Sequence, residues 1–116
     1  MMDYKKVLKA TLQNGGYSEV TGFQYMVGTT IEEQIVRMED FTEEAISDYV
    51  YRTQDLVPEN GGLGTWVNEN NGKIYLDVSV GYHDFEQAIS QARKWEQLAI
   101  YDTVNNKTIN IENDYI

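Results

Sequence analysis

The sequence predicts an α+β fold: one mixed β-sheet built from hairpins, a strand-helix-strand crossover, and two to three helices packed mainly on one face of the sheet. The clearest observation is the turn pattern Asn68 to Gly72 (NENNG) between two strand-like segments, because Asn-Gly tolerates the positive φ values of a tight hairpin. Thr42 and Asp84 each precede a segment with the hydrophobic spacing of a helix. A short apolar segment follows the second helix, and this order predicts a right-handed parallel crossover.

The first third of the chain predicts one helix and one hairpin. Residues 3 to 13 have the spacing of a helix, and Asn14-Gly15-Gly16 ends it and turns the chain. The expected buried face of this helix carries Tyr4, Val7, Leu8, Thr11 and Leu12. Two short apolar runs follow, Phe23 to Val27 and Gln34 to Met38, and Gly28-Thr29-Thr30 lies between them. We therefore expect these runs to pair as a hairpin with a long loop.

A second helix is expected from about residue 43 to residue 56. Thr42 is its predicted cap, and Phe41 and Ile46 are placed to form a hydrophobic staple across the first turn. Its expected buried side comprises Phe41, Ala45, Ile46, Tyr49, Val50 and then Leu56 or Val57. Pro58 ends the helix, and the glycines at 61, 62 and 64 predict a flexible connection into the strand Thr65-Trp66-Val67.

The second half of the chain predicts a long strand, a helix and two short strands. Ile74, Leu76, Val78 and Val80 alternate onto one face of the long strand, and Lys73, Tyr75, Asp77 and Ser79 fall on the other. Asp84 caps the helix, whose sheet-facing side is expected to carry Phe85, Ala88, Ile89, Ala92 and Trp95. Strands are expected at 98 to 101 and 108 to 111, with a turn at Asn105-Asn106.

Length and composition narrow the class of protein. A chain of 116 residues, 41% of them hydrophobic, predicts a single domain over residues 1 to 116. The first residues lack the apolar run of a signal peptide, and no segment approaches the roughly 20 apolar residues that cross a bilayer, so we expect an intracellular protein without a membrane partner. The absence of cysteine excludes disulfides, thiol nucleophiles and thiolate metal sites.

The acidic residues are concentrated in one part of the chain. The net charge of −10 opposes direct binding to nucleic acid and favours a basic protein as partner. Residues 32 to 59 contain nine acids and two arginines, a local charge of −7. The predicted partner-binding residues are Glu32, Glu33, Glu39, Asp40, Glu43, Glu44, Asp48, Asp55 and Glu59. Solubility and the helix dipole are the alternative explanation, which applies best to the two acids in the first helical turn, Glu43 and Glu44.

The outward face of the sheet is a second candidate surface. If both long helices cover one side, then Trp66, Tyr75, Asp77 and Tyr101 remain on the other and form an alternative interface of aromatic and acidic groups. If the first helix covers that side instead, Tyr75 and Trp66 belong to the core.

The sequence contains no recognisable catalytic, cofactor-binding or metal-binding motif. The only histidine, His83, is expected to lie in a loop beside the cap Asp84, and no glycine pattern matches a phosphate loop or a dinucleotide fingerprint. Asp77 and Asp102 could form a carboxylate pair if their strands were neighbours. We therefore expect a protein that is not an enzyme, and a small hydrolase or metal-dependent enzyme that uses Asp77, His83, Asp84 or Asp102 is the remaining alternative.

The segments GTWVNENNGKIYLDVSV and HDFEQAISQARKWEQLAIYD resemble a group of small acidic proteins encoded by phages and mobile elements of Gram-positive bacteria. The similarity covers about the last 50 residues, with a weaker match at Gly15 to Tyr17. The resemblance implies the cytoplasm of a bacterial host as the location. It also implies an anti-restriction or anti-CRISPR type of activity, in which the protein inhibits a host defence nuclease. No catalytic motif is defined for that group, so it implies no site residue.

Two functional hypotheses follow. In the first, the acidic surface mimics DNA and occupies the basic nucleic-acid-binding surface of a host protein, with a defence nuclease as the expected partner. In the second, the protein is an accessory or adaptor protein that forms a homodimer or docks to another protein through the sheet face with Tyr75 and Asp77.

Overall fold

The computed structural model describes residues 2–97 and 99–111 and has an α+β fold, as the sequence predicts. Three helices accompany an antiparallel sheet: α1 (Tyr4–Asn14), α2 (Glu43–Thr53) and α3 (Phe85–Lys94). The strands are β1 (Gly16–Ser18), β2 (Tyr25–Gly28), β3 (Gln34–Val36), β4 (Gly61–Asn68), β5 (Lys73–Tyr82), β6 (Ala99–Asp102) and β7 (Lys107–Asn110). A 3₁₀ turn, Met38–Asp40, precedes α2.

The β4–β5 hairpin is the centre of the sheet and was predicted correctly. Its register pairs Asn68 with Lys73 and Gly61 with Val80. The turn closes because the Gly72 and Asn71 amides donate to the carbonyl of Asn68 at 2.8 and 3.3 Å, with Gly72 at a φ of 71°. A left-handed residue at this position is what the Asn-Gly sequence supplies at little cost.

All three helices pack on one face of the sheet, which we name the helix face. The α1 and α2 side chains Val7, Ile46 and Tyr49 pack with Leu63, Ile74 and Leu76. The α3 side chains Ala88, Ile89 and Ala92 form a second cluster with Val27, Ile100 and Ile109. The register of the strands places all of these sheet residues on the same side, because side chains alternate along each strand. On the opposite side, named the outer face, none of the three helices α1 to α3 packs.

Capping side chains and a hydrophobic staple determine where the helices begin. Asp3, Thr42 and Asp84 accept hydrogen bonds from the amides three residues on, and Phe41 is buried beside α2 as the staple predicts.

The α2 helix ends at Thr53, earlier than expected, so Leu56 lies outside it and is half exposed rather than buried. The Thr11 and Thr65 hydroxyls meet at 2.5 Å and satisfy each other at the buried contact between α1 and β4.

The predicted hairpin between residues 23 and 38 was wrong. The strands β2 and β3 do not pair with each other; both are antiparallel to β5, against residues 79 to 82 and 74 to 76. They are two halves of one interrupted strand, and residues 29 to 33 are inserted opposite Val78 and Asp77. The Thr29 amide and hydroxyl both donate to the Val78 carbonyl, at 3.0 and 2.8 Å, and hold the start of the insertion.

Two further expectations about the sheet need correction. Residues 61 to 64 belong to β4 and are not a flexible connection, because they pair with Val80 to Asp77 of β5. The space beside these glycines is filled by Pro58, by Glu19 and Val20, and by Asp77 and Ser79. Every strand pair in the described residues is antiparallel, so the sheet is not mixed. The α3 helix joins two strands of the same direction, β5 and β6, but β2 lies between them. The handedness of this connection stays a prediction, and Leu98, the expected first residue of β6, lies outside the described residues.

Candidate functional site

All nine predicted partner-binding acids are exposed. Glu32 and Glu33 lie in the insertion between β2 and β3, and Glu39 and Asp40 in the 3₁₀ turn. Glu43, Glu44 and Asp48 lie on α2, and Asp55 and Glu59 lie in the connection from α2 to β4. All nine carboxylates are therefore accessible to solvent, which a role in binding a partner requires.

Few of these carboxylates are neutralised. Arg37 is the only cation that forms ion pairs within the described residues, with Glu39 at 3.6 Å and with Asp40 at 2.7 Å. Arg52, the other arginine of the segment, donates to the side chain of Gln34 and lies over the ring of Tyr49, 5.4 Å from its centre. The remaining seven acids therefore present their charge to solvent.

The helix dipole accounts for only part of this charge. Glu43 and Glu44 occupy the first turn of α2, where a carboxylate stabilises the helix. The other unpaired acids lie outside that turn, so the dipole does not explain them.

Sequence reasoning missed one residue of this surface. Tyr51 on α2 is 75% exposed, the largest value among the large hydrophobic residues described. It follows Asp48 by three residues and Glu44 by seven, which places all three along one stripe of the helix. The helical spacing could have identified it, because Tyr49, two residues earlier, has the opposite orientation and is buried. Exposed tyrosines next to charged groups are common at the centres of protein interfaces.

The outer face carries a row of large side chains across three strands. The register aligns Trp66 of β4, Tyr75 of β5 and Ile35 of β3. The rings of Trp66 and Tyr75 are stacked, 4.6 Å apart at 27°. Trp66 is 42% and Ile35 48% exposed, and the Tyr75 hydroxyl accepts from the Asn71 amide nitrogen Nδ2 at 3.1 Å. Because α1 packs on the opposite face, Trp66 and Tyr75 are not core residues.

Two members of the predicted alternative interface do not join this row. Asp77 is on the same face but buried, with 7% exposure, so it cannot contact a partner directly. Tyr101 is 40% exposed on the same face, but it pairs with Met26, which pairs with Gly81, six residues along β5 from Tyr75. At about 3.3 Å per residue this separation is roughly 20 Å. The interface is therefore reduced to Trp66 and Tyr75, and Ile35 is the residue that sequence reasoning missed.

Asp77 lies in an unusual environment. The Ser79 hydroxyl donates to its Oδ1 at 2.5 Å, and Gly64 and Gly28 on the flanking strands leave room for the carboxyl group. Burial raises the pKa of Asp77 to about 6; the Ser79 hydrogen bond opposes this shift and the negative charge of Glu33 adds to it. No cation contributes to this balance, so at neutral pH the site holds a buried charge at a cost.

The residues that a hydrolase or metal-dependent enzyme would use do not lie together in the structure. Asp102 shares the helix face with Tyr25 and Ile100, whereas Asp77 is on the outer face, and β2 lies between their strands. The two carboxyls therefore cannot form a catalytic pair. His83 packs against Phe23, and Asp84 accepts from the Gln87 amide as a helix cap. No group of three or more histidine or acidic residues that could hold a metal occurs among the described residues.

Asp102 has a local structural role. It accepts from the amides of Val104 and Asn105 and from the Asn105 side chain, the last at 2.7 Å. The hydrogen bond from the Asn105 side chain is the largest of the effects that lower the pKa of Asp102. These bonds fold the turn between β6 and β7.

Comparison with known proteins does not place the chain in a family. No protein-family model, curated protein or solved structure matches it. Within the described residues, no helix is long and apolar enough to cross a membrane. The fold and the surfaces define a small α+β protein with an exposed acid-rich segment and an exposed aromatic row.

Proposed function

We propose that this protein is a non-enzymatic binding module that docks on a basic protein surface through the acid-rich segment 32 to 59. The observation that carries the proposal is the exposure of all nine acids, seven of them without an ion pair in the described residues. Exposed charges of one sign accelerate association with an oppositely charged surface and select against partners of like charge. Tyr51 supplies a large exposed side chain on the same stripe of α2 as Glu44 and Asp48.

The proposed partner is a nucleic-acid-binding protein of a bacterial host, with a defence nuclease as the specific candidate. A surface that binds phosphates also accepts carboxylates, because both are anionic groups recognised by arginine and lysine. The resemblance of the last 50 residues to small acidic phage proteins supports the same class. In this proposal the protein occupies the basic channel and excludes the nucleic acid from it.

The test is capture of a nucleic-acid-binding partner from bacterial lysate with the wild-type protein, a charge-reversed variant and a matched control. The variant Glu44→Lys, Asp48→Lys, Asp55→Lys changes three acids of the proposed surface. The control Glu69→Lys, Glu86→Lys, Glu96→Lys makes the same change in net charge at three exposed acids elsewhere. We expect the variant to lose capture from bacterial lysate, the control to retain it, and the captured protein to release duplex DNA when wild-type protein is added.

Two outcomes would overturn the proposal. One is equal loss of binding in both variants, which would show that net charge and not this surface matters. The other is a captured partner that still binds DNA with full affinity in the complex. Salt dependence is a further check, because exposed ion pairs weaken as the Debye length shortens.

A second candidate function has its own observation, the exposed row of Trp66, Tyr75 and Ile35 on a sheet face without a helix. Such a surface suits an adaptor that forms a homodimer or docks to another protein. In this case Tyr75→Ala would abolish a dimer detected by sedimentation at high concentration, and the three charge reversals on the α2 side would have no effect. A monomer at all concentrations would remove the dimer form of this candidate.

A further inference from the structure

Strand β3 forms an edge of the sheet, although it pairs with the central strand β5. It pairs with β5 on one side, through Gln34 to Leu76, Ile35 to Tyr75 and Val36 to Ile74. Within the described residues no strand pairs with its other side, and no further backbone hydrogen bond reaches these three residues. An open strand edge presents amide and carbonyl groups to which another extended chain can bind.

The side chains next to this edge are suited to contact an added strand. Ile35 is the last member of the row that begins at Trp66, and its side chain is 48% exposed. A strand paired to β3 would place one of its side chains beside Ile35, because neighbours in adjacent strands share a face. An apolar side chain at that position would extend the row from three strands to four.

Charged groups lie at both ends of the edge. Glu32 and Glu33 immediately precede β3, and Glu39 and Asp40 follow it by three and four residues; all four are exposed. Glu33 lies close enough to the outer face to raise the pKa of Asp77. Arg37 balances part of the charge at the second end. The net charge around the edge is therefore negative, and it favours a basic strand.

We propose that the free edge of β3 receives an extended segment of the partner protein in which lysine or arginine alternates with apolar residues. This inference rests on the proposed function, since it specifies which part of a basic partner binds and how. Backbone hydrogen bonds to β3 supply the geometry, the apolar side chain beside Ile35 supplies the contact, and the acids at either end bind the cations. It also gives a role to the exposed apolar side chain of Ile35 between the acids at 32, 33, 39 and 40.

The probe is a short peptide of alternating lysine and valine, added to the full-length protein. The control peptide alternates lysine with proline, which has the same charge but no amide hydrogen to donate at those positions. We expect the valine peptide to shift the amide resonances of residues 34 to 36 and to protect them from hydrogen exchange. We expect the proline peptide to bind about tenfold more weakly, because it loses one or two backbone hydrogen bonds of modest net strength to the three-residue edge.

Two variants locate the site. Ile35 is exposed, so Ile35→Glu should leave the fold intact while weakening binding of the valine peptide about tenfold. Glu33→Gln with Glu39→Gln should reduce binding and its salt dependence, whereas Glu86→Gln on α3 should change neither. Equal binding of the two peptides, no binding at all, or protection elsewhere in the sheet would overturn strand addition and leave the acidic-surface proposal standing. Concentration-dependent protection of residues 34 to 36 without peptide would also overturn it, because a second copy would then occupy the edge.

Discussion

The Asp77 carboxyl and the Ser79 hydroxyl lie 2.5 Å apart on the outer face of β5, and both side chains are buried. Room for them comes from the neighbouring strands, because Gly64 pairs with Asp77 and Gly28 pairs with Ser79. A buried carboxyl satisfied by one hydroxyl and no cation is costly when ionised. The centre of the sheet therefore contains a group whose charge depends on pH near neutrality.

Asp77→Asn should stabilise the protein at pH 7 and have little effect at acidic pH. The folded-state pKa of about 6 lies above the ordinary 3.8, so the folded protein holds this proton more tightly than the unfolded chain. The favourable contribution is complete below about pH 4 and is lost as the pH rises through 6. By pH 7 the ionised group costs about 3 kcal/mol, at about 1.4 kcal/mol per pKa unit.

The measurement is urea denaturation of both proteins between pH 4 and pH 8. The negative charge of Glu33 contributes to the raised pKa of Asp77, so Glu33→Gln should reduce the gain and serves as a control for the local negative charge. A difference in unfolding free energy between wild type and Asp77→Asn that does not vary with pH would contradict the shifted pKa.

Gly64→Ala should destabilise the protein by about 2 kcal/mol or more. A Cβ atom at this position would lie 2.5 Å from the Asp77 Oδ1 atom, well inside van der Waals contact. Overpacking of this kind costs about 1 to 3 kcal/mol. The combination with Asp77→Gly and Ser79→Gly should remove most of this cost. If the effect of Gly64→Ala and the effect of the Asp77→Gly, Ser79→Gly pair are instead additive, the glycine is required for another reason.

The same glycines show why part of the fold could be predicted from sequence and part could not. The β4–β5 hairpin was predicted because its turn and the alternation from Ile74 to Val80 are local. In the sequence alone, the glycines at 61, 62 and 64 predict a loop. Their place in a strand is explained only by the neighbouring residues that fill the space beside them. The interruption between β2 and β3 depends on pairing with β5, some 50 residues away, and no local pattern shows it.

The candidate surfaces also combine features that the local sequence predicts with features that depend on strand order. Exposure of the nine acids was predictable, because a charged side chain without a partner remains in water. Placing Ile35 beside Tyr75 and Trp66, and removing Asp77 and Tyr101 from that surface, required the strand order. Segment 32 to 59 and the sheet face were alternatives in the sequence, yet β3 belongs to both.

Asp102→Asn should destabilise the protein at neutral pH, with the effect declining as the pH falls. The folded-state pKa of Asp102 is lowered, so its ionised form adds stability above its ordinary pKa, and that contribution is lost in acid. The variant also weakens the acceptor for two turn amides and for the Asn105 side chain. Thermal unfolding at pH 7 and pH 3 tests this, and a penalty as large at pH 3 would show that the charge is not the cause.

Tyr49→Ala should lower the stability of the protein strongly and Tyr51→Ala should leave it almost unchanged, although the residues are two apart on α2. Tyr49 is 1% exposed within the main core cluster, so its truncation leaves a cavity and should cost about 3 to 5 kcal/mol. Tyr51 is 75% exposed, so its loss should change the unfolding free energy by less than about 0.5 kcal/mol. Chemical denaturation measures both values. If Tyr51 is part of the docking surface, Tyr51→Ala should instead reduce capture of the basic partner with its stability unchanged, and this separates a binding residue from a structural one. Full capture by Tyr51→Ala would place the centre of the interface elsewhere on the acidic side.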